Sequence, residues 1–136
     1  MDETIAVALA WQRASNAGDR ARLLALSAED LAISGPRGTT RGRDEVLAWL
    51  DRAGLHVRTV RLFAGAGRVV VEQVGRWRDP ATGALGAERA LATCFTIVAG
   101  RVSALARYDD LASALAASDL RLADAVPVPL ASAPPD

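Results

Sequence analysis

Apolar residues in the first half of the chain recur at helical spacing, whereas in the second half they alternate with polar ones as strands require. Ile5, Ala8, Leu9 and Trp11 stand among polar neighbours in a stretch free of Gly and Pro, so Asp2 to Ala17 is predicted helical, with Gly18 as its stop. Asp19 then offers a carboxylate to the unpaired amides of a second, shorter helix carrying Leu23, Leu24 and Leu26, which makes a helical hairpin. Leu31 to Ser34 is a short β-prone run that ends at the turn Gly35-Pro36-Arg37-Gly38. A third helix is predicted from near Arg43, because Val46, Trp49, Leu50 and Ala53 fall at i, i+3, i+4 and i+7 and form one apolar stripe. Gly54 supplies the residue that tolerates the left-handed conformation needed to end it.

From Leu55 onward three long β-prone runs follow, about Leu55 to Phe63, Arg68 to Arg78 and Glu88 to Val98, and then a shorter one from Arg101 to Tyr108. The glycine-bearing turns between them are short enough for hairpins, so this half reads as an antiparallel meander. Leu111 to Ser118 is amphipathic and predicted helical. Residues 1–122 are expected to form one domain. Residues 123–136, which include Pro127, Pro129, Pro134 and Pro135, are expected to form a mobile tail without a packing pattern.

Composition narrows the partners. The 136 residues suit one domain, and sixteen basic residues balance sixteen acidic ones, so no net field draws in nucleic acid or anionic lipid. Every basic residue other than the single histidine is arginine, which excludes a Schiff-base lysine and a phosphate-loop lysine. The apolar runs fall short of a membrane span, Met-Asp-Glu at the start is no basic leader, and Cys94 is the single cysteine, so a reduced, cytoplasmic setting is expected. His56, the single histidine, has no metal-ligand spacing around it, and Gly65-Ala66-Gly67 lacks the third glycine of a dinucleotide fingerprint, so neither metal nor cofactor is expected.

The order of elements, with Asn16-Ala17-Gly18-Asp19 between the first helices, Ser34-Gly35-Pro36-Arg37-Gly38, Arg41-Gly42-Arg43 and the closing Ala99-Gly100-Arg101-Val102, resembles the nuclear transport factor 2-like superfamily over about Asp2 to Ser118. The resemblance implies a cone-shaped α+β barrel: three N-terminal helices packed in a strongly curved antiparallel sheet, a pocket opening at one end, and a homodimer. The superfamily includes ketosteroid isomerases, limonene epoxide hydrolases, SnoaL-like polyketide cyclases and members without known activity, so the fold alone assigns no reaction. Laid against the isomerases, their general base falls at Gly35, their oxyanion-hole tyrosine at Trp11 and their oxyanion-hole acid near Thr93. Laid against the epoxide hydrolases, their arginine and aspartates fall near Gln73, Gly75 and Arg107. Neither catalytic set is present.

Because side chains two apart on a strand share a face, these correspondences place Val71, Gln73, Gly75 and Trp77 inward, together with Leu91, Thr93, Phe95 and Ile97, and Leu105, Arg107 and Asp109. Arg107 and Asp109 are the candidate catalytic pair. Standing at i and i+2, they either hold each other as an ion pair closing the sheet, with Asp109 or Asp110 capping the last helix, or hold a ligand carbonyl and take its proton. Trp11, Trp49, Gln73, Trp77, Thr93 and Phe95 are the candidate ligand-binding residues for a small apolar ligand. Arg37, Arg41 and Arg43 either cluster at the mouth or form a solvated turn, and Cys94 is a small core residue. Val70, Val74, Ala90, Ala92, Cys94, Ala104 and Ala106 share the outward phase and are the expected dimer face. Two functions stay open: a cofactor-independent acid/base enzyme (isomerase, lyase or cyclase) acting on an apolar carbonyl compound, or a non-catalytic dimeric module whose cone is filled by its own side chains. Trp11, Trp49 and Phe95 plugging the cone would favour the second.

Overall fold

Asp19 accepts a hydrogen bond from the Arg22 amide at 3.1 Å and so starts the second helix where the sequence places it. In the computed structural model, which describes residues 3–35 and 38–129, the first helices are α1 (Glu3–Ala17) and α2 (Arg20–Leu26). Strand β1 (Ser27–Gly35) is twice the length expected, and after the turn the chain returns as β2 (Gly38–Arg41), a hairpin the periodicity did not reveal. Helix α3 (Arg43–Ala53) ends at Gly54, which takes the left-handed conformation (φ 56°, ψ 27°). The meander follows as β3 (Leu55–Gly65), β4 (Arg68–Trp77), β5 (Arg89–Val98) and β6 (Arg101–Tyr108), then α4 (Leu111–Ser118). No described helix is long and apolar enough to cross a membrane.

The sheet order is β2-β1-β6-β5-β4-β3-β7, curved and not closed. All described pairings are antiparallel except one: β1 runs parallel to β6, with a register shift between Ser27 and Ala32. The α+β cone is therefore as expected, but its sheet is mixed. That parallel pairing joins the first third of the chain to the last and carries no local signal. The final strand, β7 (Ala125–Val126), follows a single 3-10 turn at Leu122–Asp124 and pairs with Phe63 and Leu62 of β3. The segment expected to be a loose tail from residue 123 thus begins on the sheet, and residues 130–136 lie outside the described ones.

Two cores result from the strand alternation. On the concave face, Leu9, Trp11, Val46, Val71, Phe95, Ile97 and Leu105 pack with α1 to α3, and Trp49 and Leu50 of the α3 stripe are partly buried against them. On the convex face, α4 folds back and covers Val70, Ala92 and Cys94 with Ala114, Leu115 and Leu120. Arg68 reinforces this return by donating to the Ser118 carbonyl at 3.1 Å. The outward apolar row expected to await a second subunit is therefore partly covered by the chain's own last helix. Val74, Ala104 and Ala106 are half-buried and Ala90 is exposed.

Candidate functional site

The turn Asn16-Ala17-Gly18-Asp19 ties the end of α1 to the sheet. The Asn16 amide donates to the Val57 carbonyl at 2.8 Å and its oxygen accepts from the Val57 amide at 3.0 Å, so one side chain substitutes for a missing strand neighbour at β3. Gly18 allows the reversal with φ 68°, and Asp19 caps α2.

Deep in the cone the inward polar residues satisfy one another. Thr93 donates to the Gln73 oxygen at 2.8 Å, the Gln73 amide donates to the Gln12 oxygen at 2.7 Å, and the Gln12 amide donates to Thr59 at 2.7 Å. Gln12 and Gln73 are 4% and 2% exposed, so this chain of bonds is an internal strut between α1 and the sheet. Trp11 is engaged in the same way: its indole N–H donates to Ser27 Oγ at 3.0 Å, and the Ser27 hydroxyl donates to the Leu23 carbonyl at 2.6 Å. The Trp11 ring lies 5.8 Å from both Trp49 and Phe95, and the space left among these rings, Gln73, Thr93 and Arg107 is about 10 Å³, room for no more than one water molecule. The interior is filled, and none of the described carboxylates lines it. Gly75, where the epoxide hydrolases' acid would fall, is closed as well, since a Cβ there would lie 2.6 Å from Leu91 Cδ1 and 3.1 Å from Leu55 Cδ1.

The open space lies further out, as a cavity of about 620 Å³ at the mouth. One wall is the β1–β2 hairpin, where Ser34 and Thr39 share a 2.8 Å hydrogen bond beside Gly35 and Thr40. A second wall is α3, presenting Trp49 and Arg52, and the floor comes from Trp77, Arg89, Leu91, Leu105, Arg107 and Asp109 of the sheet and its end. Of the expected site residues, Trp49, Trp77, Arg107 and Asp109 come together here, whereas Trp11, Gln73, Thr93 and Phe95 surround the filled interior. Ser34, from the turn motif that carries the resemblance, joins them, as do Thr39, Thr40, Arg52 and Arg89, which the sequence did not single out. Two adjacent β-branched residues after a Pro-x-Gly turn were the available signal for the hairpin wall.

Arg107 separates the filled interior from the mouth. Its guanidinium carbon lies 5.2 Å over the Trp49 ring, and its Nε is buried without a hydrogen-bond partner. Burial lowers its pKa to about 10, which leaves it a cation at neutral pH. The ion pair open to it in the sequence does not form: among the described residues the salt bridges are Arg20–Asp51 and Arg61–Glu72, and Asp109 is exposed at the rim. The last helix is capped by Asp110, which accepts from the Ser113 amide at 2.7 Å and is thereby held below the usual carboxylate range. Two i and i+2 residues on a strand end share a face without sharing a contact, because Asp109 lies past the end of β6 where the backbone turns into α4.

The other described candidates do not line this cavity. Arg43 donates to the Ser27 carbonyl at 3.2 Å, Arg41 is exposed on β2, and Arg37 lies outside the described residues. His56 borders a second opening of about 300 Å³ on the other side of Trp49. Burial pushes the Cys94 thiol up, as expected of a core residue.

Comparison with known proteins agrees with this architecture. Among curated proteins none matches the sequence. Similar solved structures include an NTF2-like protein from Burkholderia xenovorans LB400, 24% identical, with a TM-score of 0.66 over 85% of this chain and 95% of that one. RV0760c from Mycobacterium tuberculosis, solved in complex with estradiol-17beta-hemisuccinate, is 20% identical, with a TM-score of 0.70 over 82% and 97%. An LEH-like epoxide hydrolase from M. tuberculosis is 21% identical, with a TM-score of 0.67 over 79% of each chain. The family model of the SnoaL-like domain matches residues 8–105, from within α1 into β6, and so includes α2, α3 and β1 to β5. The chain belongs to the SnoaL-like family, within the nuclear transport factor 2-like superfamily.

Proposed function

We propose that this protein binds a small, flat, largely apolar carbonyl compound in the mouth cavity and, acting without a cofactor in the cytoplasm, moves a proton on it. The observation that carries the reading is the 620 Å³ cavity in which Trp49, Trp77, Leu91 and Leu105 supply apolar surface while Arg107 and Asp109 supply a cation and a carboxylate. In the proposed reaction the Asp109 carboxylate takes a proton from the carbon next to the carbonyl, the negative charge moves to the carbonyl oxygen against Arg107, and the proton returns to carbon from the same carboxyl. Gln73 and Trp11 have no part in orienting the ligand, since both are engaged with Gln12, Thr93 and Ser27. That RV0760c was solved with a steroid hemisuccinate supports a flat apolar ligand for this fold. The proposed protein is a homodimer through the convex surface α4 leaves open, at Val74, Ala90, Ala104 and Ala106. A monomer mass by light scattering at micromolar concentration rejects that part.

A second reading, a non-catalytic dimeric binding or interaction module, is favoured by the filled interior of about 10 Å³. Exchange of the methyl protons of 2-acetonaphthone in D2O, followed by NMR, separates the two. The enzyme reading expects exchange above the buffer rate and a loss of about a hundredfold or more in Asp109→Asn, the size of a removed general base. No exchange by protein that binds the ketone leaves the non-catalytic reading.

A further inference from the structure

We infer that the ligand of the mouth cavity carries a carboxylate-type anion on its flat apolar body, and that Arg107 receives it. The inference rests on the reading of the mouth as a binding site alone, not on the proton transfer, and names the charge of the ligand; with an anion on Arg107 it is the binding reading without catalysis that it deepens. Among the described residues three arginines, Arg52, Arg89 and Arg107, line this cavity against the one acidic residue, Asp109. Asp109 is exposed at the rim, where solvent screens it, whereas Arg107 is drawn in beneath Trp49. A buried guanidinium donor without a partner costs free energy unless something supplies an acceptor, and among the described residues nothing bonds the Arg107 Nε. Its planar fork matches a carboxylate with two parallel bonds, which a neutral carbonyl cannot form.

The aromatic surroundings set the shape of the rest. Trp49 holds Arg107 by its ring face, and the Arg89 guanidinium carbon stands 6.0 Å over the Trp77 ring, so each indole is paired with an arginine at the edge of the same cavity. An aromatic carboxylate entering between them stacks its body on indole or leucine surface and ends on Arg107, while Arg52 and Arg89 raise the local positive potential at the entrance.

The test compares 2-naphthoate with its uncharged counterpart 2-naphthamide by isothermal titration of the intact protein and of Arg107→Gln. Naphthoate is expected to bind about tenfold or more tightly than naphthamide, as a charge-assisted pair with the half-buried Arg107 requires. In Arg107→Gln this preference is expected to vanish while naphthamide affinity stays within about threefold, the retained amide binding showing that the cavity has survived the substitution. Equal binding of the two probes by the intact protein overturns the anion inference and leaves the mouth as a neutral binding site. A naphthoate preference that persists in Arg107→Gln also overturns it, by moving the anion elsewhere. Failure of both probes to bind overturns this inference and the site reading together.

Discussion

Replacing Gln73 by Leu removes the central link of the buried strut while roughly keeping its volume. Gln73 is 2% exposed, donates to Gln12 at 2.7 Å and accepts from Thr93 at 2.8 Å. The substitution leaves the Gln12 oxygen without a donor and the Thr93 hydroxyl without its acceptor, in a space too small to admit more than one water. Each orphaned buried group costs about 1–3 kcal/mol, and the added apolar burial of the leucine offsets part of it, so a net loss of about 2–4 kcal/mol is expected. Urea denaturation should show this as a lower midpoint with unchanged slope. The double variant Gln12→Leu/Gln73→Leu removes both amides and strands only the terminal hydroxyls of Thr59 and Thr93, so it should cost less than the two single changes added, by about 1 kcal/mol or more. A loss below about 1 kcal/mol for Gln73→Leu, or strict additivity, would refute the strut and return Gln73 to the ligand-facing role its strand phase suggests.

Further outcomes follow from the same geometry. Asn16→Ala strands both backbone groups of buried Val57 and is expected to lower stability by about 2–4 kcal/mol in urea denaturation. Gly75→Ala forces Leu91 and Leu55 aside and is expected to cost about 1–3 kcal/mol by the same assay. Asp110→Ala should lower Tm at neutral pH, and Asp110→Asn, which still caps but carries no charge, should lower it less. The Ser113 amide lowers the folded-state pKa of Asp110, so its ionised contribution is present above the unfolded value and lost as pH falls through the folded one. The gap between wild type and Asp110→Ala should therefore shrink as thermal melts are taken to acid pH.

The parts of this molecule that were legible in the chain are those governed by short-range chemistry. Gly18, Asp19 and Gly54 announce their turns because only certain residues tolerate those backbone states or cap those amides. The inward set from Val71 to Leu105 follows from the two-residue period of a strand, and it holds for Gln73, Thr93 and Phe95, which are buried on the concave side. Facing inward, however, did not mean facing a ligand. Whether Trp11, Trp49 and Phe95 close a cone is decided by how three rings from three elements fill one volume, which no local period reports. The same applies to the parallel pairing of β1 with β6 and to α4 covering Cys94, both contacts between distant segments. Asp109 was placed inward by extending the strand period one step past Tyr108, where the strand has already ended.

Entry of ligands into the mouth cavity and not the interior is reported directly by the three indole N–H signals of Trp11, Trp49 and Trp77. In a two-dimensional 15N-labelled NMR titration with neutral 2-acetonaphthone, the Trp49 and Trp77 signals are expected to shift together with saturation. Trp11, whose N–H is held by Ser27 behind the filled interior, is expected to stay in place. A shift of Trp11 with Trp77 unmoved would contradict the account, because it would place the ligand among Gln73, Thr93 and Phe95.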